Sequence, residues 1–237
     1  MADHSAEKCC AIIAAAGRST RMGGDSSKQF LPLLGVPAIV RTLWAFDRAS
    51  EVGRVIVVCR GEDLEQMKGC IERYRVQKVT AVLRGGGTRQ ESVSIGVRAV
   101  PAAVGCVAVH DGARPLITPD EINACVGDAF RCGASALGTP LKDTVKKIDL
   151  SQCVLSTPAR ECLWAVQTPQ VFHLDLYRQA LAKAQADGKD YTDDCQLVEQ
   201  IGIRVHLCRG SYENIKLTTE EDLAVAEAIL KKREAGI

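Results

Sequence analysis

The 237-residue chain is 46% apolar, carries a formal net charge of +1 and is only 4% aromatic. That is enough material for the core of one α/β domain and short for two. A near-neutral chain without basic runs or aromatic clusters argues against a nucleic-acid or membrane-surface protein. The longest clean apolar stretch near the start, Cys9 to Ala16, falls far short of a membrane span.

Cys9–Ala15 reads as a buried strand that empties into the small residues Ala14, Ala15, Ala16 and Gly17, then into a loop bearing Arg18, Arg21 and Lys28. Small residues let backbone N–H groups approach an anion closely, and cations at fixed spacing add full charges. The loop matches neither the P-loop nor the dinucleotide Gly-x-Gly-x-x-Gly pattern. Its place after the first strand is where open α/β sheets bind ligands. Strands are then predicted at Arg54–Cys59, Lys78–Leu83, Cys106–His110, Ala134–Thr139 and Arg204–Leu207. Helices are predicted at Pro37–Ala49, Asp63–Tyr74, Arg89–Val100, Pro119–Cys132, Leu174–Asp187, Asp193–Gly202 and Thr219–Lys232. Thr118-Pro119 and Thr218-Thr219 followed by acids supply helix starts, and Gly53, Gly133 and Gly202 punctuate helix-to-strand returns. Between Lys142 and Arg160 apolar and polar residues alternate about Leu150-Ser151-Gln152, which predicts a ribbon of Asp143–Ile148 and Val154–Thr157. Such a hairpin is marginal alone, so it is expected to pack on something, with a second subunit the candidate. The alternation throughout predicts a single doubly wound, mostly parallel α/β domain over residues 1–237, with residues 141–160 as a protruding β-ribbon arm.

The eleven cysteines form no Cys-x-x-Cys pair and read as reduced residues of a cytoplasmic protein. His4, His173 and His206 show no ligand pattern in sequence. Chemistry is concentrated instead after the strands. Gly85-Gly86-Gly87-Thr88-Arg89 with Ser92 suits backbone contact with a base or phosphate, but equally an ordinary turn capped by Thr88. His110-Asp111-Gly112-Ala113-Arg114 puts a carboxylate and a guanidinium at a strand end, suited to a metal ion, a ribose hydroxyl or a phosphate. Gln167-Thr168-Pro169-Gln170 reads as a turn, and Thr192 as the N-cap of a helix from Asp193. Lys216 stands just ahead of the last helix, where an anion is favoured.

Taken in order, these segments resemble the 2-C-methyl-D-erythritol 4-phosphate cytidylyltransferase family. They are Ala14–Gly17 with Arg21-Met22, Lys28-Gln29, Gly85-Gly86 through Ser92-Val93, His110-Asp111 with Ala113-Arg114-Pro115, Asp143-Thr144, Leu163-Trp164 through Phe172, Thr192-Asp193-Asp194 and Asn214-Ile215-Lys216. Each motif is short; their order over about Cys9 to Leu230 is specific. The resemblance implies a nucleotidyltransferase fold, CTP and methylerythritol phosphate as substrates, Mg2+ held largely by the CTP phosphates, and a homodimer. It implies catalytic roles for Arg21, Lys28, Arg160 and Lys216. Ala14, Ala15, Ala16, Gly17, Gly86, Ser92 and Asp111 match the nucleotide pocket. Asp111, Arg114, Thr144, Thr168 and Thr192 match the second substrate's surroundings, with Asp111 also the candidate metal ligand. Through the arm, Arg160 and Thr144 are expected to serve the neighbouring subunit's site.

Ser27 replaces a common proline, Gly112 a usual alanine, and Gly87 an acid found in some members. A ribitol 5-phosphate cytidylyltransferase and a non-catalytic nucleotide-binding regulator are the alternatives. A sugar-1-phosphate nucleotidyltransferase would need longer sugar-binding insertions, and a nicotinamide dehydrogenase would need the missing fingerprint.

Overall fold

The computed structural model describes residues 9–17 and 28–236. In chain order it contains β1 (Cys9–Ala15), β2 (Pro32–Leu33), β3 (Val36–Pro37), α1 (Ala38–Arg48), β4 (Val52–Cys59), α2 (Leu64–Arg73), β5 (Val79–Arg84), α3 (Arg89–Arg98) and β6 (Cys106–Asp111). Then follow α4 (Pro119–Cys132), β7 (Ala134–Pro140), β8 (Lys147–Ile148), β9 (Val154–Ser156), β10 (Trp164–His173), α5 (Leu174–Ala186), α6 (Asp194–Glu199), β11 (His206–Arg209) and α7 (Glu220–Glu234).

Seven strands form one sheet in the order β11-β7-β10-β6-β1-β4-β5. All pairings are parallel except those of β10, which runs antiparallel to both β6 and β7. Strand periodicity explains the two-sided core. Along β1, Cys9, Ala11, Ile13 and Ala15 face the layer of α1, α2 and α4, while Cys10 and Ile12 face α3, α5 and α6. A third cluster seats α7 against the β2–β3 hairpin through Leu33, Leu217, Ala226 and Leu230. Helix α4 carries the expected caps: Thr118 and Glu121 form a reciprocal capping box, and Gly133 closes the helix at φ 83°. No helix among the described residues is long and apolar enough to cross a membrane.

The structure departs from the sequence expectation in four places. Gln167-Thr168-Pro169-Gln170 is no turn; it lies inside β10, in the middle of the sheet. Proline normally argues against a central strand because it donates no ladder bond. Here the β7 register shifts between Val166 and Gln170, so the ladder skips the proline. Gly53 lies inside β4 rather than before it. Asp193, not Thr192, caps α6, accepting the Gln196 amide at 2.9 Å. The ribbon strands are only two and three residues long, and Arg160 falls in the 3-10 turn Arg160–Cys162 that follows them.

Candidate active site

The carboxyl ends of β1, β4, β5 and β6 open into a cleft of about 690 Å³. Parallel pairing places Ala14 of β1 opposite Asp111 of β6, and the Gly112 amide donates to the Ala14 carbonyl at 2.9 Å. One wall is the backbone of Ala14–Gly17; the other is the Gly85–Gly87 turn, joined to β4 by the Gly85 amide on the Cys59 carbonyl at 2.8 Å. Glycine is required at 85, since a Cβ there would lie 2.6 Å from the Ala16 Cβ and 2.7 Å from the Ser92 hydroxyl. Ser92, 3% exposed, donates to the Thr88 carbonyl at 2.8 Å and accepts from the Gly86 amide at 3.1 Å. Its hydroxyl therefore fixes the turn. Thr88 caps α3 by accepting the Glu91 amide, and Glu91 in turn takes the Gly87 amide at 2.7 Å.

The floor is charged. Asp111 Oδ2 lies 2.8 Å from Lys216 Nζ and 3.7 Å from Arg114 Nε, while Oδ1 lies 3.5 Å from Arg89 Nε. Burial works to raise the carboxyl's pKa, yet Lys216, Arg89 and Arg114 together hold it well below the usual carboxylate range. Lys216 reaches this point because its segment is pinned twice. Asn214, fully buried, donates to Gln167 Oε1 at 3.1 Å and the Thr168 carbonyl at 3.0 Å, and the Leu217 amide donates to the Ala113 carbonyl at 2.8 Å. Arg114 completes the brace from below with Nη1 on the Asn214 carbonyl at 2.8 Å. The polar residues of β10 are thus the scaffold of the site.

Beneath Asp111, Thr168 accepts the Asp111 amide at 3.1 Å and lies 3.0 Å from His110 Nδ1. The Arg114 carbonyl can only accept, so the neutral His110 carries its proton on Nε2 and donates to it at 3.3 Å, which leaves Nδ1 to accept from the threonine hydroxyl. Burial, opposed by Asp111, lowers the His110 pKa to about 3, so the imidazole is a neutral structural group.

The cleft thus assembles Ala14–Gly17, Gly86, Ser92, Asp111 and Lys216, with Arg114 behind Asp111. Thr168 supports Asp111 from within the fold, 4% exposed. Thr192 is exposed and bonds Gln196. Thr144 and Arg160 are exposed on the arm, with Arg160 Nη1 on the Lys142 carbonyl at 2.7 Å, and neither lines the cleft of its own chain. Arg21 lies outside the described residues, as does the side chain of Lys28. The Lys28 backbone opens the short turn Lys28–Phe30. Sequence reasoning passed over Arg89, Asn214 and Asp194 as functional side chains. The available signal was an arginine directly after a glycine turn and polar residues within apolar surroundings.

A second charged cluster was invisible in the sequence. Asp128 and Cys132 of α4 meet His206 of β11, with ligand atoms within 4.8 Å of one another. The Asp128 carboxylate there already takes Arg131 at 2.7 Å, Ser135 at 2.7 Å and His206 Nδ1, so it is a satisfied ion-pair centre.

The family model described as 2-C-methyl-D-erythritol 4-phosphate cytidylyltransferase matches residues 9–232. A protein of that name from Pelotomaculum thermopropionicum is 46% identical over 232 residues, covering 98% of each chain. One from Desulforamulus reducens is 44% identical over 224 residues, covering 94% of this chain and 96% of the relative. Among solved structures, 4-diphosphocytidyl-2C-methyl-D-erythritol synthase from Anaerococcus prevotii superposes with a TM-score of 0.85 at 31% identity, covering 95% of this chain and 99% of its own. The cytidylyltransferase from Thermus thermophilus gives 0.77 at 32% identity, covering 93% and 98%.

Proposed function

The chain belongs to the 2-C-methyl-D-erythritol 4-phosphate cytidylyltransferase family, and from that premise we infer how its cleft works. It is a nucleotidyltransferase of the non-mevalonate isoprenoid pathway. It joins CTP and methylerythritol phosphate to give 4-diphosphocytidyl-2-C-methyl-D-erythritol and pyrophosphate. The observation that carries the reading, beside membership, is the pairing of a backbone-walled pocket with the Asp111–Lys216 floor in one cleft. The ribitol phosphate and regulator alternatives are not favoured by the relatives.

A phosphate oxygen of methylerythritol phosphate attacks the α-phosphorus of CTP in line. A new P–O bond forms, the α–β anhydride bond breaks, and pyrophosphate leaves with the electron pair. The attacking oxygen is already ionised near neutral pH, so positioning and charge stabilisation supply the catalysis and no general base is needed. This accords with a buried, neutral His110. We assign the cytosine to the backbone edges of Ala14–Gly17 and Gly86, where a small pyrimidine fits and a purine is crowded. Lys216 is assigned to the reacting phosphate, and Arg21 and Lys28 to the transition state and the departing pyrophosphate. Asp111 and Arg114, with Thr168 behind them, and Thr192 are assigned to the second substrate.

The donor set of the floor does not fit a resident divalent ion. Both Asp111 oxygens face cations, and Asp194, the next carboxylate, is paired with Arg89. Mg2+ is therefore assigned to the nucleotide, entering as the magnesium complex of CTP.

We assign residues 141–160 as an inserted arm of a single nucleotidyltransferase unit that docks on a second copy. Supporting this, Ile148, Leu150, Val154 and Leu155 are 51–106% exposed on a hairpin too short to stand alone. Arg160 and Thr144 would then complete the partner's site as a homodimer. Eleven free cysteines support a reducing, cytoplasmic location.

The test is pyrophosphate release in Mg2+, crossing CTP, UTP, ATP and GTP with methylerythritol 4-phosphate and ribitol 5-phosphate. Turnover confined to CTP with methylerythritol phosphate is expected. Preference for ribitol phosphate, or CTP binding without turnover, would overturn the assignment. For the arm, mixing Arg160→Ala with Lys28→Ala chains should recover activity through hybrid dimers; inactive hybrids would refute a shared site.

A further inference from the structure

Arg89 stands between two carboxylates. Its Nη1 lies 2.7 Å from Asp194 Oδ2, whereas its Nε is 3.5 Å from Asp111 Oδ1. Asp194, 1% exposed, opens α6 and is held from several directions. The buried Tyr177 of α5 donates its hydroxyl to Asp194 Oδ1, and the Asp194 amide donates to Gln170 Oε1 of β10 at 2.9 Å. Arg89 lines the cleft; Asp194 lies behind it.

A guanidinium prefers a bidentate carboxylate partner, and an unrestrained Arg89 has one within reach in Asp111. Asp194 prevents that. It holds Arg89 by Nη1 and leaves Asp111 a single long contact from Nε, so Asp111 stays paired with Lys216 at 2.8 Å. Without Asp194, the released guanidinium would compete with Lys216 for Asp111 in a low-dielectric setting where such competition is strong.

We propose that Asp194 is a positioning residue that restrains Arg89, so that Asp111 keeps Lys216 over the cleft for the transfer step. The proposal rests on the reading of this cleft as the cytidylyl-transfer site. It also explains why a carboxylate with no route to substrate is buried on the far side of an arginine.

Asp194→Asn retains an acceptor for Tyr177 and removes the charge that holds Arg89. In the full-length enzyme with Mg2+, kcat should fall about tenfold or more while CTP affinity by calorimetry stays within about threefold. Adding Arg89→Met to that variant removes the competitor, and kcat should recover by about threefold or more over Asp194→Asn alone, a coupling that independent supports of the fold would not give. Tyr177→Phe, which leaves the pair intact, should remain within about threefold of wild type. Unchanged turnover in Asp194→Asn overturns the proposal. So does a double variant as slow as or slower than the single one, or parallel loss of CTP binding and turnover. A wild-type enzyme inactive on CTP and methylerythritol phosphate would instead refute the functional reading beneath it.

Discussion

Asp111 and Asp128 are both buried carboxylates ringed by basic groups, yet one belongs to the proposed reaction centre and the other to the scaffold. Asp111 has Lys216, Arg89 and Arg114 about it at the carboxyl ends of β1 and β6; Asp128 has Arg131 and His206 where α4 meets β11. Both are shifted toward the ionised form: burial opposes this in each, and basic or hydroxyl partners outweigh it. What separates them is the neighbourhood. Asp111 and Lys216 line a cleft with backbone walls, while the Asp128 carboxylate is taken up by Arg131, Ser135 and His206. Charge clustering marks a site only where the fold also leaves room for a ligand.

The sharpest way to break this contrast is to neutralise each carboxylate. Asp111→Asn should lower kcat/KM by about a hundredfold, as for loss of a preorganised electrostatic element. Asp128→Asn should leave kcat/KM within about twofold and cost about 1–3 kcal/mol in stability, the range for a buried hydrogen-bonded group losing its partners. Steady-state kinetics beside urea denaturation would reveal the reverse pattern if the assignment were mistaken.

Next in size is the wall. In Gly85→Ala the new methyl meets the Ala16 Cβ at 2.6 Å, and neither group can rotate away. The turn must shift, at a cost of about 1–3 kcal/mol in stability, and CTP affinity should weaken about tenfold, as expected when a close backbone approach is lost. Normal calorimetric affinity would remove the turn from the nucleotide pocket.

The two imidazoles give a third comparison. His206 is exposed beside Asp128, whereas His110 is sealed beneath Asp111 and held neutral by burial, from the usual 6.5 to about 3. Below pH 6.5 the unfolded chain takes up a proton that the native imidazole refuses until near pH 3. Stability should therefore fall as pH falls through that window, with a slope approaching about 1.4 kcal/mol per pH unit. Urea midpoints should show a flatter acid limb in His110→Gln; identical slopes would mean that other groups carry the dependence.

The smallest effect is expected at Gly112. A Cβ there lies 2.9 Å from the Ile39 Cδ1, the far end of a flexible side chain. Gly112→Ala should change stability by about 1 kcal/mol or less and leave activity unaltered. A large loss would show that the bulk of Ile39 fills the space a side chain at this position would need.

Much of this was legible beforehand because strand ends in parallel α/β sheets announce themselves. Apolar runs close on Ala14–Gly17, Gly85–Gly87 and Asp111, and each of these does line the cleft. Strand β10 was not legible. Trp164–Val166 and Val171–Phe172 are strand-like, but Gln167-Thr168-Pro169-Gln170 between them is polar and contains a proline, which locally favours a turn. Those four residues are tolerated in the sheet because Asn214, Ser211, His110 and the α6 amides satisfy their polar groups, and every one of those partners is distant in sequence.

The sequence by itself determined the alternation of strands and helices, the small-residue turns and the cations near them, since these follow from local periodicity and backbone preference. Tertiary structure alone decided that β10 enters the sheet antiparallel between β6 and β7, that Asn214 brings Lys216 to Asp111, and that Asp194 reaches Arg89. The physical reason is the same in each case. A buried polar or charged group is stable only when its partner is present, and here the partners come from remote segments, Asn214 and Gln167 being 47 residues apart along the chain.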